Sequence, residues 1–152
     1  MEKIGHREIS DSEINKIIDE YKFDWKRSLK IVKSFSNMMQ EILEGETGSK
    51  FADKTGLNTN MLSKFRYSYT PQNPPRMYTF ISVCIGYQIS YTLAQQLLQS
   101  ICLPFNPLNK QHAAYIALLT HCRGCNIAQC NEILQRMGVD EKFFLGSPER
   151  KH

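Results

Sequence analysis

Thr59, Asn60, Ser63 and Lys64 share the free face of a short helical stretch and together offer hydroxyl, carboxamide and ammonium groups. That set donates and accepts hydrogen bonds in several geometries and suits non-covalent recognition of a polar surface. A second cluster is rich in sulfur. His121-Cys122-Arg-Gly-Cys125-Asn-Ile-Ala-Gln-Cys130 holds a C-x-x-C, a third thiol five residues on and an adjacent histidine, with His112 upstream. Zinc could use such ligands, but a structural zinc site shows two spaced ligand pairs, and the second pair is missing. Cys130 lies on an apolar stripe, where a free cysteine behaves as a small hydrophobe. The redox use of C-x-x-C needs a βαβ setting that this chain lacks. Neither a metal nor another cofactor is expected. A dyad of Cys122 or Cys125 with His112 is the one catalytic pairing available, and nothing in the sequence sets it in a cleft. Paired carboxylates, a P-loop, G-x-S-x-G and H-E-x-x-H are all missing, so no enzyme is expected. Cys84 and Cys102 read as core filler, and five irregularly spaced thiols fit a reduced compartment.

The polar face belongs to Phe51-Ala-Asp-Lys-Thr-Gly-Leu-Asn-Thr-Asn-Met-Leu-Ser-Lys-Phe65, which suits two short helices joined by a tight turn. Ala52 is small enough for a close helix crossing, and Gly56 takes the positive φ that ends the first helix. Leu57 plugs the angle between the helices. Asn58 is a good N-cap for a second helix over 58–67, in which Leu62 and Phe65 turn inward at i and i+3. This is the layout of a helix-turn-helix with a polar outer surface.

The remaining elements are helical too. Ser10-x-x-Glu13 is a capping box opening a short helix with Ile14, Ile17, Ile18 and Tyr21 on one stripe. Phe23-Asp24-Trp25 restarts the chain, and Asp24 caps a longer helix to about Glu44 with Leu29, Val32, Phe35, Met39, Ile42 and Leu43 at helical spacing. Thr47 is the N-cap of the first motif helix. Ser68-Tyr-Thr-Pro-Gln-Asn-Pro-Pro75 is a loop, since its prolines remove donors and fix φ. Further helices are expected over 76–87, 91–102 and 109–121 and from Asn126 to Gly138, the last with Ile127, Cys130, Ile133, Leu134 and Met137 inward. No segment alternates with period two. The fold class is all-α, a bundle of seven or eight helices without internal repeat. The expected units are an N-terminal extension 1–23, a helix-turn-helix domain 24–90, a C-terminal helical region 91–146 packed on it and a flexible, frayed tail 147–152. Of the aromatics, Trp25, Tyr78, Phe80, Tyr87, Tyr91 and Tyr115 read as core, whereas Tyr67 and Tyr69 follow the polar element and could stack on a base or a partner, or simply cover the bundle.

Charge is unevenly spread. Against a total of +4, residues 1–46 hold eight basic and ten acidic side chains, residues 47–78 five and one, and residues 79–152 six and four. Asp53 is the one acid between Thr47 and Tyr78, whereas Lys50, Lys54, Lys64, Arg66 and Arg76 surround the polar face. A polyanion is the natural partner of that patch. No apolar run approaches the roughly 18 residues of a membrane span, and the start of the chain has no leader-like apolar region, so a cytoplasmic protein without a membrane partner is expected.

Residues 51–65 meet every element of the pattern apolar-Ala-x-x-x-Gly-apolar-polar-x-x-x-apolar-x-x-apolar, and by it the chain resembles the lambda-repressor-like, Cro/XRE-type, helix-turn-helix proteins. The likeness runs on to about residue 90, where Pro75-Arg-Met-Tyr-Thr-Phe-Ile-Ser-Val-Cys-Ile-Gly86-Tyr is similar to the family's next helix. Ile-Gly-Tyr before an amphipathic helix, and Cys130-Asn131 before Ile-Leu, resemble bacterial members with a longer helical C-terminus. Gly48 departs from the family, which often has glutamine near the start of the first motif helix, and Tyr67-Ser68-Tyr69 replaces a small or glycine-containing turn. The resemblance implies a transcription regulator that binds double-stranded DNA, as a homodimer on a two-fold site. It places Thr59, Asn60, Ser63 and Lys64 at base edges in the major groove. There Asn60 could grip adenine, Lys64 could donate to guanine, and Thr59 could meet thymine. Thr47, Ser49, Lys50, Arg66 and Tyr67 would hold phosphates. The alternative is a protein-interaction module, such as an antitoxin-like or phage-defence adaptor, that keeps the helix-turn-helix as scaffold and engages a protein through its C-terminal helices.

Overall fold

The computed structural model describes residues 7–147, and their side chains except at 28–34. The expectations for the start of the chain, for the Leu29 and Val32 side chains and for residues 148–152 lie outside the described residues. The helices are α1 (Asp11–Ile42), α2 (Gly48–Thr55), α3 (Met61–Ser63) with a π-helical turn (Lys64–Ser68), α4 (Met77–Gly86), α5 (Tyr91–Ser100), α6 (Lys110–His121) and α7 (Ile127–Arg136). A 3-10 turn, Glu141–Phe143, follows. The described residues contain no strand, and an isolated bridge from Thr70 to Asn73 closes the turn before α4. The fold is all-α.

Short polar residues start most of these helices. Ser10, Thr47, Ser90, Asn109 and Asn126 each accept from a backbone N–H two or three residues on, and Asn126 forms a reciprocal capping box with Gln129. One expected break is absent. α1 runs through Phe23 and Asp24 as a single 32-residue helix. No glycine or proline stands between Ser10 and Gly45, and an aspartate inside a helix costs only a few tenths of a kcal/mol.

α4 is the central rod. Thr79, Phe80, Ile81, Ser82, Val83, Cys84 and Ile85 are all buried, as befits a helix that is apolar all round. Buried in the same core are Phe35, Met39 and Leu43 of α1, Phe51 of α2, Leu62 and Phe65, Leu97 and Leu98 of α5, Leu118 of α6 and Leu134 of α7. The crossing with α2 is close enough that a Cβ on Gly86 would sit 2.7 Å from the Lys54 carbonyl oxygen. The end of the chain is tied back. The Asn131 side chain both donates to and accepts from the backbone of Leu145, the Gly146 N–H donates to Ser82 Oγ, and the Ser147 N–H donates to the Gly56 carbonyl at 2.7 Å. Ser147 is therefore anchored rather than the start of a frayed tail.

Three apolar expectations are corrected, the first at Met137, which is 39% exposed at the end of α7 rather than inward. Cys102 is exposed, at a φ of 56° just after α5, and fills no core. Trp25 is exposed as well, because the first half of α1 stands away from the bundle. No helix among the described residues is long and apolar enough to cross a membrane.

Candidate nucleic-acid interface

The turn between α2 and the next element is built from three residues. Gly56 adopts the left-handed conformation at φ 75° and its N–H donates to Ala52 O. The buried Thr55 hydroxyl donates to Phe51 O and accepts from the Leu57 N–H, which fixes the chain as it leaves α2. Leu57 is then buried at the corner.

Beyond it the expected regular helix over 58–67 is replaced by three geometries in succession. The N–H groups of Met61 and Leu62 donate three residues back, to the Asn58 and Thr59 carbonyls, which gives a tight opening turn. Asn60, not Asn58, occupies the N-cap position, and its side chain makes no cap hydrogen bond. After α3 the π-helical turn closes with the Tyr69 N–H donating to Lys64 O. The widened turn leaves the Arg66 carbonyl to other donors, and Ser36 Oγ and Gln40 Nε2 of α1 supply them. Phe65 is fully buried and meets the Tyr69 ring edge-on at 4.8 Å, so Tyr69 covers the core rather than facing out. Arg66 reaches back toward α1. Its Nη2 donates to the Leu43 and Glu46 carbonyls at the end of α1, an internal bracket between the two elements.

The four expected reading residues come together. Thr59, Asn60, Ser63 and Lys64 are all exposed, with Leu62 and Phe65 buried beneath them. Asn58, Tyr67 and Ser68 extend the same outward surface, and Tyr67 is 69% exposed. Thr59 also leans on the start of α2, where its Cβ lies 3.2 Å from the point a Cβ on Gly48 would occupy. The absence of a side chain at Gly48 thus makes room for Thr59. At the start of α2 the Thr47 hydroxyl accepts from the Lys50 N–H, while Ser49 and Lys50 are exposed.

The five cations of residues 47–78 separate in space. Lys50 and Lys64 are exposed and have no ion-pair partner among the described residues. Arg76 donates to the Tyr78 hydroxyl. Lys54 bonds Glu46 Oε2 at 2.8 Å and lies over the Tyr87 ring, 5.0 Å from its centroid. Glu46 also accepts from the Tyr87 hydroxyl at 2.7 Å. The hydrogen bond from Lys54, then that from Tyr87, holds its carboxyl at about 2, well below the ordinary 4.5. Burial, with the Glu46 contact second, pushes the Tyr87 phenol above its usual range. Reading by position along the chain missed this acid, which was counted with the N-terminal segment. A glutamate next to the Thr47 N-cap, near the end of α1, was the available signal.

The histidine and cysteine side chains lie elsewhere. His112 lies in the first turn of α6 and Cys122 caps its far end, roughly 15 Å apart at 1.5 Å per residue, so these two side chains form no dyad. His112 Nδ1 accepts from the Asn106 N–H, and burial pushes its pKa down. Burial and the neighbouring Cys125 raise the Cys122 thiol, and burial pushes Cys130 up to about 12. Among the described residues no three His, Cys, Asp or Glu side chains gather as a metal site. A cleft of about 540 Å³ lies between Pro75–Tyr78, His112, Tyr115 and Phe143, but the Tyr115 hydroxyl is already donating to Phe143 O and His112 Nδ1 is likewise occupied. Compared with protein-family models, curated proteins and solved structures, the chain matches none.

Proposed function

We propose that this protein is a sequence-specific, double-stranded-DNA-binding transcription regulator of the lambda-repressor-like helix-turn-helix kind, with the element from Asn58 to Ser68 entering the major groove. The observation that carries this reading is the joint exposure of Thr59, Asn60, Ser63 and Lys64 over a buried Leu62 and Phe65. Nothing from the proline-containing segment covers them. A groove about 12 Å wide admits such an element, and the carboxamide of Asn60 and the ammonium of Lys64 match the acceptor and donor edges of adenine and guanine. Ser49, Lys50 and the first N–H groups of α2 are the phosphate anchors of this reading, with Tyr67 at the far edge. Arg66 holds the element at its angle from inside.

The test is a fluorescence anisotropy titration against duplexes from the DNA flanking the protein's own gene and against random duplex. The Asn60→Ala, Lys64→Ala double variant should lose selectivity for the flanking duplex, each base contact being worth about 1–3 kcal/mol. Wild-type affinity should fall with salt at a log-log slope near −0.9 per phosphate contact. Equal, weak binding of both proteins to every duplex would overturn the reading.

The adaptor alternative predicts apolar surface on the last two helices. Met137, at the end of α7, and Leu108, ahead of α6, are the exposed large apolar residues of that region. The broad apolar surface lies instead on α1.

A further inference from the structure

The first half of α1 carries an apolar stripe with no cover among the described residues. Ile14, Ile17, Ile18, Tyr21 and Trp25 recur at helical spacing and are 39, 52, 42, 66 and 56% exposed. Every residue from Arg7 to Arg27 is exposed. The 17 residues from Asp11 to Arg27 make about 25 Å of helix, a length that is only marginally stable in water without a partner for its apolar face. Five large side chains in one row also exceed the scattered apolar exposure of ordinary surfaces.

The charges beside the stripe say what fits it. Residues 7–13 hold Glu8, Asp11 and Glu13 against Arg7, and residues 22–27 hold Lys22, Lys26 and Arg27 against Asp24. The helix is therefore net acidic at one end and net basic at the other. A copy of the same helix laid antiparallel sets acidic end against basic end twice, whereas a parallel copy opposes like charges. Over residues 7–27 six acids face five bases, so the polar side lacks the basic excess that draws an amphipathic helix to anionic lipid.

We propose that this stripe is a homodimerisation surface, occupied by α1 of a second copy in antiparallel orientation about a two-fold axis near Asp19 and Glu20. Ile14 then meets the partner's Trp25, Ile18 meets the partner's Tyr21, and Glu13 lies opposite the partner's Lys26. The pairing is isologous, and a two-fold axis closes it at two chains. It stands apart from the DNA reading, because it is measured without DNA. If both hold, the dimer presents two Asn58–Ser68 surfaces to one duplex.

Sedimentation velocity of the full chain over a concentration series tests it. Wild type should be a dimer, and Ile17→Glu with Ile18→Glu should weaken association by on the order of a hundredfold. Ile17 and Ile18 are 52 and 42% exposed, so the two glutamates should leave the bundle folded, with a cooperative thermal transition retained. Two charge variants test orientation. Asp11→Lys with Glu13→Lys, and Lys26→Glu with Arg27→Glu, should each associate less well than wild type alone and recover when mixed. Three results would overturn the proposal. One is a wild-type monomer, including one that instead sediments with phosphatidylglycerol vesicles. Another is a dimer indifferent to the two glutamates. The third is a pair of charge variants as well associated alone as wild type, which is the behaviour of a parallel pair.

Discussion

Gly86 and Glu46 show how much single residues decide around α2. A methyl group at Gly86 would meet the Lys54 carbonyl, which is backbone and cannot swing aside. Gly86→Ala should therefore destabilise the protein by about 1–3 kcal/mol in urea denaturation, as overpacking at a fixed contact does. Glu46 supplies a pH signature. Its folded pKa of about 2 lies below the ordinary 4.5, so the native state binds fewer protons than the unfolded chain in this window. Its stabilisation is complete above about pH 4.5 and is lost as pH falls toward 2. Glu46→Gln should flatten that acid limb when the melting temperature is followed from pH 6 to pH 2. The same change releases Lys54 from its ion pair, so affinity for random duplex should rise and its salt slope should steepen by up to about one unit.

Among the elements, the stretch from Asn58 to Ser68 is too short and too irregular to stand alone. α1 holds it. Arg66 bridges back to the carbonyls of Leu43 and Glu46, and Ser36 and Gln40 reach forward to the Arg66 carbonyl. Arg66→Ala should lower stability by about 1.5–3 kcal/mol in thermal denaturation, the range for hydrogen bonds from a charged donor. Arg66→Lys should recover part of the loss, since an ammonium can donate but lacks the planar fork that spans two carbonyls. On the proposed function both changes also weaken specific DNA binding, because they tilt the polar face without touching Asn60 or Lys64.

At the scale of the molecule, the C-terminal segment closes the structure onto the turn that follows α2. Asn131 clamps Leu145, Gly146 bonds Ser82 on α4, and Ser147 bonds Gly56. Asn131→Ala leaves the Leu145 N–H and carbonyl without these partners, a loss of about 1–3 kcal/mol. Hydrogen exchange should show faster exchange at Gly146 and Ser147, with faster exchange at Leu57 as the turn loosens. Unchanged protection at all three would mean that the clamp does not support the turn. The opposite end of the molecule is built differently. Residues 11–27 of α1 are all exposed and carry large apolar side chains into solvent, which sets this stretch apart from the closed core around α4.

The sequence by itself determined the all-helical class, the positions of α4 to α7 and the caps at Ser10 and Thr47. Each of these rests on hydrogen bonds or spacing within about one turn of chain. It also determined that Leu62 and Phe65 turn inward and leave Thr59, Asn60, Ser63 and Lys64 outside. Tertiary structure alone decided which cations face solvent, because Lys54 meets a glutamate eight residues earlier and Arg66 meets carbonyls twenty or more residues back. It decided that Trp25 is exposed, since an amphipathic stripe looks the same whether its cover is the bundle, a second chain or water. The reason is common to all of them. Periodicity and capping are local and written in neighbouring residues, whereas the partner of a long side chain depends on where distant segments pack.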